Sequence, residues 1–576
     1  MGSICARKQG DKTYYVYQET YRVKINREDL GKKRGSGKSK VVTHAVYLGS
    51  AEKILGLVQE KREPLSVSTR RFGLVGAAYQ TASEIGLQEI LSKGLPGDRG
   101  GVERWIYFFA TILNRLDQAT SKNRMSEWLA GTILPELLGI DPKNLSGKNF
   151  WYAADAIFSE KELKKRRQSS QTADYPLLTP LEDTFTAMEM ELFARIDELM
   201  GLSPSLICYD TTNFYTYIQP HKRSALASTC HSKDSKNHLN HVGLLMAVER
   251  KHRIPLLSQI YQANRHDSRV FSHILADLVA SLRKLCGVES DLVIVLDKGN
   301  NSKENFTAMH GLVSWVGALV PSHHKDLIDL DLSRYHGFWK DLRYHRSIKT
   351  IMGMECTVIL TYNSVTARKQ NHSLRRGIDK LKDGIRATWR SYKKRPTHLT
   401  KGILRMVKKS DYGSCLNLSV RAGELRIDEN PQEIEARKKR FGKSLIFSDM
   451  LGAETGYLID TYNHKNAIES DFQLLKDQAI IRFRPIRHWT DSKIRAYAFC
   501  CVVSMTLMRV MQWKASNAGY AMSPHLLKEE LSDIREVAMV YSTSDVRTKI
   551  TDRSGVQNKL WEAFKLSDLE KLLYIH

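Results

Sequence analysis

The sequence predicts an α/β chain. A central mixed core comes in two pieces, separated by a β-rich insertion and preceded by a β-hairpin and helical region. Three observations predict it. Strand-like runs LICYDTTNFYTY, HVGLLMAV and PLLSQIYQ follow one another from residue 205, joined in part by the polar turn ERKHR. An amphipathic helix over 268–285 then leads into a fourth apolar run, LVIVLD. The next core-like helix, YNHKNAIESDFQLLK, arrives so late that Asp297 and Glu469 stand 172 residues apart, far more than one connection needs.

In chain order, residues 1–70 form a small β-rich module. Within it, TYYVYQETYRV and KSKVVTHAVYLG alternate around the basic loop GKKRGSGKSK. Residues 71–200 are helical, with Leu, Ile, Phe and Trp at spacings of three and four over 72–145 and a polar linker at RRQSSQTADYP. Residues 201–325 hold the first part of the core. Three strands in a meander, a helix and another strand is the order that opens a ribonuclease-H-like fold. Residues 326–450 form the insertion domain, mixing the runs CTVILTYN, SCLNLSV and SLIFSD with one long basic helix near 364–393. Residues 451–515 return to the core, and 516–576 close the chain as a helical segment.

Composition narrows the partners. Lys and Arg outnumber Asp and Glu by 88 to 63 over 576 residues, a net charge of +25, with dense runs at 31–40, 164–167, 390–395 and 436–440. A polyanion is the natural partner, because each neutralised phosphate releases counterions; a solvated surface or a ribosome-associated protein is the plainer alternative. The eight cysteines form no C-x-x-C pair, which argues against a structural zinc site. The N-terminus MGSICARKQG lacks the apolar stretch of a signal peptide. The run AYAFCCVVSMTLMRVM, bracketed by Arg495 and Arg509, is too short for a span and reads as a buried helix. No membrane partner and a cytoplasmic, nucleoid-associated location are expected.

The chemistry lies in three acids. Asp210 follows LICY, Asp297 follows LVIVL, and Glu469 sits on the late helix. Tyr462, Lys465, Glu469 and Lys476 are offset by 3, 4 and 7, so one helical stripe would carry all four beside an apolar stripe of Ile468, Phe472, Leu475 and Ala479. Divalent magnesium or manganese prefers such oxygen ligands, and two ions clamp the attacking and leaving oxygens of a displacement at phosphorus. Each acid also has a plainer role as a cap or turn residue. Lys465 and Glu469 could be an ordinary i,i+4 pair, or Lys465 and Lys476 could hold phosphates. Tyr462 could pack, stack on a base or donate to a phosphate. Thr211 and Thr212 follow Asp210. Asn300 and Asn301 follow Asp297 and could orient it, touch DNA or simply turn the chain into a helix. ANRHD places Asp267 as a helix cap. Neither a G-x-S-x-G elbow nor a Walker-type loop is present, so nucleotide hydrolysis has no support.

The spacing Tyr462-x2-Lys465-x3-Glu469-x6-Lys476 resembles the Tyr-x2-Arg-x3-Glu-x6-Lys signature of DDE transposases from prokaryotic insertion sequences, in the branch with a long insertion before the glutamate. The likeness extends over RFG…LNRL…SKNRMSEWL, DTTNF, D-x-G-x-N-S-x-E-N at 297–305 and the FSD strand end at 447–449. One departure is Lys465 at the arginine position, which keeps the charge but loses the bidentate fork. The resemblance implies that Asp210, Asp297 and Glu469 form the catalytic triad. They would bind two Mg2+ ions, for which Mn2+ can substitute. It implies hydrolysis at each element end followed by attack of the freed 3′-hydroxyl on target DNA. It also implies a largely β insertion domain shaping the DNA path, and a homodimer in the synaptic complex. An aromatic side chain holds a flipped base in some such enzymes, and Trp315 and Trp339 are the candidates. The partner is double-stranded DNA, both terminal inverted repeats and target. Tyr462, Lys465 and Lys476 would contact it, with Lys32, Lys33 and Arg34 gripping phosphates from the N-terminal loop. Two alternatives stand beside this: a metal-dependent nuclease without strand transfer, and a catalytically silent DNA-binding regulator derived from a transposase.

Overall fold

The computed structural model describes residues 2–9, 12–24, 39–59, 63–155, 183–202, 205–218, 224–230, 236–286, 291–392, 397–542 and 545–574. Its centre is a mixed ten-stranded sheet. The order from one edge is Pro255–Gln262, Asn240–Glu249, Leu206–Thr216, Val293–Leu296, Ser314–Ala318, Lys443–Ser448, Met354–Tyr362, Leu342–Ile351 and Gly337–Trp339, with Ser228–Thr229 paired onto Asn240–Glu249. The Val293–Leu296 strand runs parallel to both its neighbours, and the flanking strands are antiparallel. Its four residues are all buried, as a continuous apolar run requires.

The strand, strand, strand, helix, strand order expected from residue 205 is present, with the helix at Asp267–Cys286. Asp210 closes the apolar half of its strand, LICY, but the strand continues to Thr216, so Asp210 lies mid-strand and is neither a turn residue nor a cap. The polar DTTNF run stays extended because Asn240–Glu249 pairs along its whole length, whereas Val293–Leu296 pairs only with Leu206–Tyr209 before it.

The expected insertion domain is smaller and more helical than its sequence suggests. The strands Leu342–Ile351, Met354–Tyr362 and Lys443–Ser448 continue the central sheet. A separate small core forms only beyond them, from Leu374, Ile378, Leu381 and Ile385 of the Ser364–Arg390 helix with Ile403, Cys415, Leu416 and Ile434. Its β content is one hairpin, Leu416–Arg421 with Glu424–Glu429. Alternation marks a strand but does not say which sheet it joins.

The chain termini also differ from expectation. Gly2–Gln9, Lys12–Lys24 and Ser39–Ser50 form the expected meander with one additional leading strand. Residues 516–576 are not wholly helical. Arg535–Ser542 and Asp545–Ile550 form a hairpin, and Arg535–Ser542 also pairs with Ser66–Arg71. Ser66–Arg71, which follows the N-terminal sheet, and the C-terminal hairpin thus form one three-stranded sheet. Lys32, Lys33, Arg34 and the RRQSSQTADYP linker lie outside the described residues.

The Asp491–Asn517 helix is long and apolar enough to cross a membrane, yet 94% of its most apolar window is buried inside the protein. It packs against the helices Arg104–Asp117, Gly73–Glu84, Thr184–Met200 and Lys465–Lys476. Its charges are matched one by one: Lys493 with Asp155 at 2.7 Å, Arg495 with Asp183, Arg509 with Asp471 and Lys514 with Glu84. Buried cations are tolerated only when paired in this way.

One buried acid predicts a pH dependence. Glu189, on the Thr184–Met200 helix, accepts hydrogen bonds from the Ser258 amide and hydroxyl of the edge strand. Burial pushes its pKa up to about 8, against the opposing pull of the Ser258 hydrogen bonds. The native state therefore binds this proton more tightly than the unfolded chain, and stability falls as pH rises from the ordinary glutamate range towards 8. Glu189→Gln removes that titration. Thermal melts should show a gain over wild type that grows between pH 5 and pH 8 and is flat above; a pH-independent difference would refute the assignment.

Candidate active site

Sheet register brings the first two acids together. Leu206, Ile207, Cys208 and Tyr209 stand opposite Val293, Ile294, Val295 and Leu296. The next pair in that register is Asp210 and Asp297, on strands about 4.8 Å apart. Asp297 remains extended before a short 3-10 turn begins at Lys298, so both acids point to the face opposite Tyr209 and Leu296. Tyr209 packs on Phe271 of the Asp267–Cys286 helix. The acid-bearing face is covered by the helices Thr455–Asn463 and Lys465–Lys476.

These two helices correct the single-stripe expectation. Tyr462 lies in the last turn of the first, a break falls at His464, and Lys465 opens the second. The second ends at Lys476, so Ala479 lies beyond it. Ile468, Phe472 and Leu475 do form the buried face that docks the helix.

The break aims the side chains inward. Lys465 Nζ lies 3.0 Å from Asp297 Oδ1 and 3.1 Å from Glu469 Oε1. Its ammonium therefore bridges the second and third acids as well as making the i,i+4 pair. Burial opposes the charge on Lys465, but Asp297, Tyr462 and Asp210 outweigh it and raise the pKa. Burial pushes the Tyr462 phenol up to about 12; Lys465 works against this, and Asp297, Glu469 and Asp210 add to it. All three acids thus act on one phenol. Exposure rises from Asp210 at 6% to the Glu469 side chain at 52%, so the site opens to solvent past Glu469.

Strand alternation places a second cation. Asp210, Thr212 and Phe214 share a face. Lys476 Nζ donates to Thr212 Oγ1 at 3.0 Å and lies 5.5 Å from the Phe214 ring centroid. Thr211 points the other way, towards Tyr261, and its backbone N–H donates to Asp210 Oδ1 at 2.8 Å. The cap reading of Asp297 holds too, since its Oδ1 accepts from the Lys298 amide at 2.7 Å.

Asn300 and Asn301 shape the loop after Asp297. The Asn301 amide donates to Ala318 O at 2.8 Å, and Asn305 donates to Asn300 O and Ser268 O, each at 2.9 Å. Trp315 is fully buried against Phe306, which in turn packs on Phe447. Trp339 packs on Gly456 and donates to Asp460 at 3.0 Å. Complete burial corrects the selection of Trp315 as a flipped-base holder; Trp339 is half-buried. Phe214 and the Asp471–Arg509 pair escaped the sequence reading. The alternation from Asp210 could have flagged Phe214. Nothing local links Asp471 to Arg509.

Among the described residues, no three acidic, histidine or cysteine side chains converge tightly enough to hold a metal ion. Asp297 and Glu469 are instead joined through the Lys465 ammonium.

No protein-family model and no curated protein matches the chain. Among solved structures, it is similar to the piggyBac transposase in a synaptic complex with hairpin DNA, at 10% identity and a TM-score of 0.38, covering 80% of this chain and 76% of that one. It is also similar to the Mos1 transposase in a paired-end complex with the left transposon end. There the identity is 10% and the TM-score 0.15, covering 40% of this chain and 63% of that one. Neither likeness is close enough to carry a functional conclusion.

Proposed function

We propose that this chain is a DDE transposase of the prokaryotic insertion-sequence group its signature resembles, built on a ribonuclease-H-like core. The observation that supports this best is the meeting of Asp210, Asp297 and Glu469 around Lys465 and Tyr462 at one solvent-open edge of the sheet. The acids' hard carboxylate oxygens are the donor type that magnesium and manganese prefer; the Lys465 ammonium joins Asp297 to Glu469 in the resting arrangement, so the three acids would close on a metal as Lys465 moves aside. Asp210 and Asp297 would hold the ions from the sheet, and Glu469 would complete the set from its helix. When bound, two such ions stabilise the attacking and leaving oxygens at phosphorus.

The protein's own groups do the rest. Lys465 keeps Asp297 and Glu469 assembled in the resting protein, and its ammonium, still protonated, re-pairs with a phosphate oxygen when DNA enters. Lys476, fixed by Thr212 and Phe214, binds a neighbouring phosphate. A water oxygen attacks the end phosphorus and the 3′-oxygen leaves, taking a proton. That 3′-hydroxyl then attacks a target phosphodiester, forming one P–O bond and breaking another. The ends of the element and the target are double-stranded DNA, and a homodimer pairs the two ends.

Lys465→Met should lower the cleavage rate about 10²-fold, the usual loss when one preorganised charge donor is removed, with DNA affinity nearly unchanged. Single-turnover assays check this, and a wild-type rate would remove Lys465 from the mechanism. The whole proposal is tested with pre-cleaved duplex ends taken from the DNA bordering the gene, incubated with a second duplex and Mg2+ or Mn2+. Joined product is expected. Cleavage of intact ends without joining would indicate a nuclease, and binding alone a silent regulator.

A further inference from the structure

The net charge is unevenly placed. Residues 364–440 carry 21 Lys and Arg against 8 Asp and Glu. That stretch therefore supplies +13 of the chain's +25 from fewer than a seventh of its residues. It is also the part with its own small core.

The Ser364–Arg390 helix buries Leu374, Ile378, Leu381 and Ile385 on one side. Lys369, Arg376 and Lys380 are all exposed, and spacings of seven and four residues put them on one stripe directly opposite that core. The following helix, Lys401–Lys409, buries Ile403 and exposes Lys401, Arg405 and Lys408 at spacings of four and three. Four of the eight acids pair with cations of the same subdomain, Glu433 with Arg437 and Glu435 with Lys438 among them. Glu429 is shared by Arg375 at 2.9 Å and Lys382 at 2.6 Å, and Asp383, on the stripe side, pairs with Arg386 at 3.4 Å. Solubility is served by mixed signs, whereas a single-sign field of this kind attracts a polyanion.

Topology says where this surface stands. The subdomain leaves the sheet after Tyr362 and returns at Lys443, and these two residues are paired neighbours, so its stalk is one two-stranded ladder. Met354–Tyr362 is antiparallel to Lys443–Ser448, which is antiparallel to Ser314–Ala318, which is parallel to Val293–Leu296. The stalk strand therefore runs parallel to the one that ends at Asp297. Register puts Val295, Val316, Ser448 and Thr357 at one level. Tyr362 thus projects beyond the level of Asp297 on the same sheet edge, three strands or about 14 Å to the side.

From this we infer that the 364–440 subdomain is a second DNA-binding surface, a clamp that grips the duplex backbone beside the acid site through Lys369, Arg376 and Lys380. The helix is about 40 Å long, enough to lie along a full turn of duplex. Its contacts are to phosphates, so it positions DNA without reading sequence. This rests on the proposed function for its partner.

The test is duplex binding by fluorescence anisotropy over a salt series with the full-length protein. It compares wild type with the triple variant Lys369→Gln, Arg376→Gln, Lys380→Gln. A charge-matched control, Lys559→Gln, Lys565→Gln, Lys571→Gln, removes three exposed cations from the last two helices and the turn between them. The slope of log affinity against log salt should fall by about 3 for the stripe variant and stay near wild type for the control. Equal slopes for stripe variant and wild type, or equal losses in both variants, overturn the clamp. If wild type joins ends while the stripe variant binds like wild type, only the clamp fails. If wild type binds duplex through the stripe yet cuts nothing, the clamp stands and the transposase reading fails. Wild type that binds no duplex ends both.

Discussion

Asp297→Ala is expected to abolish strand cleavage and strand joining while duplex binding persists. Asp297 is the one acid that both continues the register beside Asp210 and takes the Lys465 ammonium at 3.0 Å. Removing it deletes an oxygen donor from the sheet side of the site. It also leaves Lys465 paired only with the more exposed Glu469. Transition-state stabilisation of several kcal/mol is at stake in metal-assisted phosphoryl chemistry, a rate loss of at least about 10³. The structural cost is small, because the remaining contact is a cap to the Lys298 amide, worth about 1 kcal/mol. The variant should therefore melt close to wild type and bind duplex normally. Cleavage at more than a few per cent of the wild-type rate would exclude Asp297 from the chemistry. A protein in which wild type and variant behave alike in every assay would be a regulator.

Asp471→Ala should be the most destabilising single change near the site. Asp471 is fully buried, on the helix that carries Glu469, and pairs with the buried Arg509 of the Asp491–Asn517 helix. Truncating the acid strands a guanidinium in the core, which costs about 3–5 kcal/mol. Removing both partners costs less than removing one, so Asp471→Ala with Arg509→Leu should recover part of the loss. Denaturant midpoints for the two singles and the double form the cycle that measures the pair. The effect reaches function because Asp471 is two residues from Glu469. Activity of the single variant should fall at temperatures where the bulk of the protein is still folded. A single variant as stable as wild type would show that the pair does not anchor the helix.

Much of the core was legible before any coordinates. Fully buried strands such as VIVL announce themselves as continuous apolar runs, and an acid placed straight after one stands at a sheet edge wherever that strand pairs. Asp297 was visible for this reason. Glu469 was visible because Ile468, Phe472 and Leu475 repeat at helical spacing beside it. The single Tyr462-to-Lys476 stripe failed because helical periodicity runs unbroken through His464, where the chain turns. The insertion was misjudged for a related reason. SLIFSD and CTVILTYN look alike whether they form a separate domain or extend an existing sheet, and here they extend it. REVAMVYS, read as helical, is a strand with a local hairpin partner in Asp545–Ile550 and a second partner, Ser66–Arg71, more than 460 residues away; only the second lies beyond the reach of local pattern.

The sequence by itself determined the extended and helical elements of the core before residue 300, which long stretches are buried, where the positive charge is concentrated, and which three acids and two lysines are candidates for phosphate chemistry. Only the tertiary structure decided that Asp210 and Asp297 fall in consecutive register, that Lys465 bridges Asp297 to Glu469, and that the basic subdomain overhangs the same edge. The physical reason is range. Propensity and periodicity act over a few residues, whereas strand pairing and buried ion pairs join positions hundreds of residues apart and are selected by the packing of the whole core.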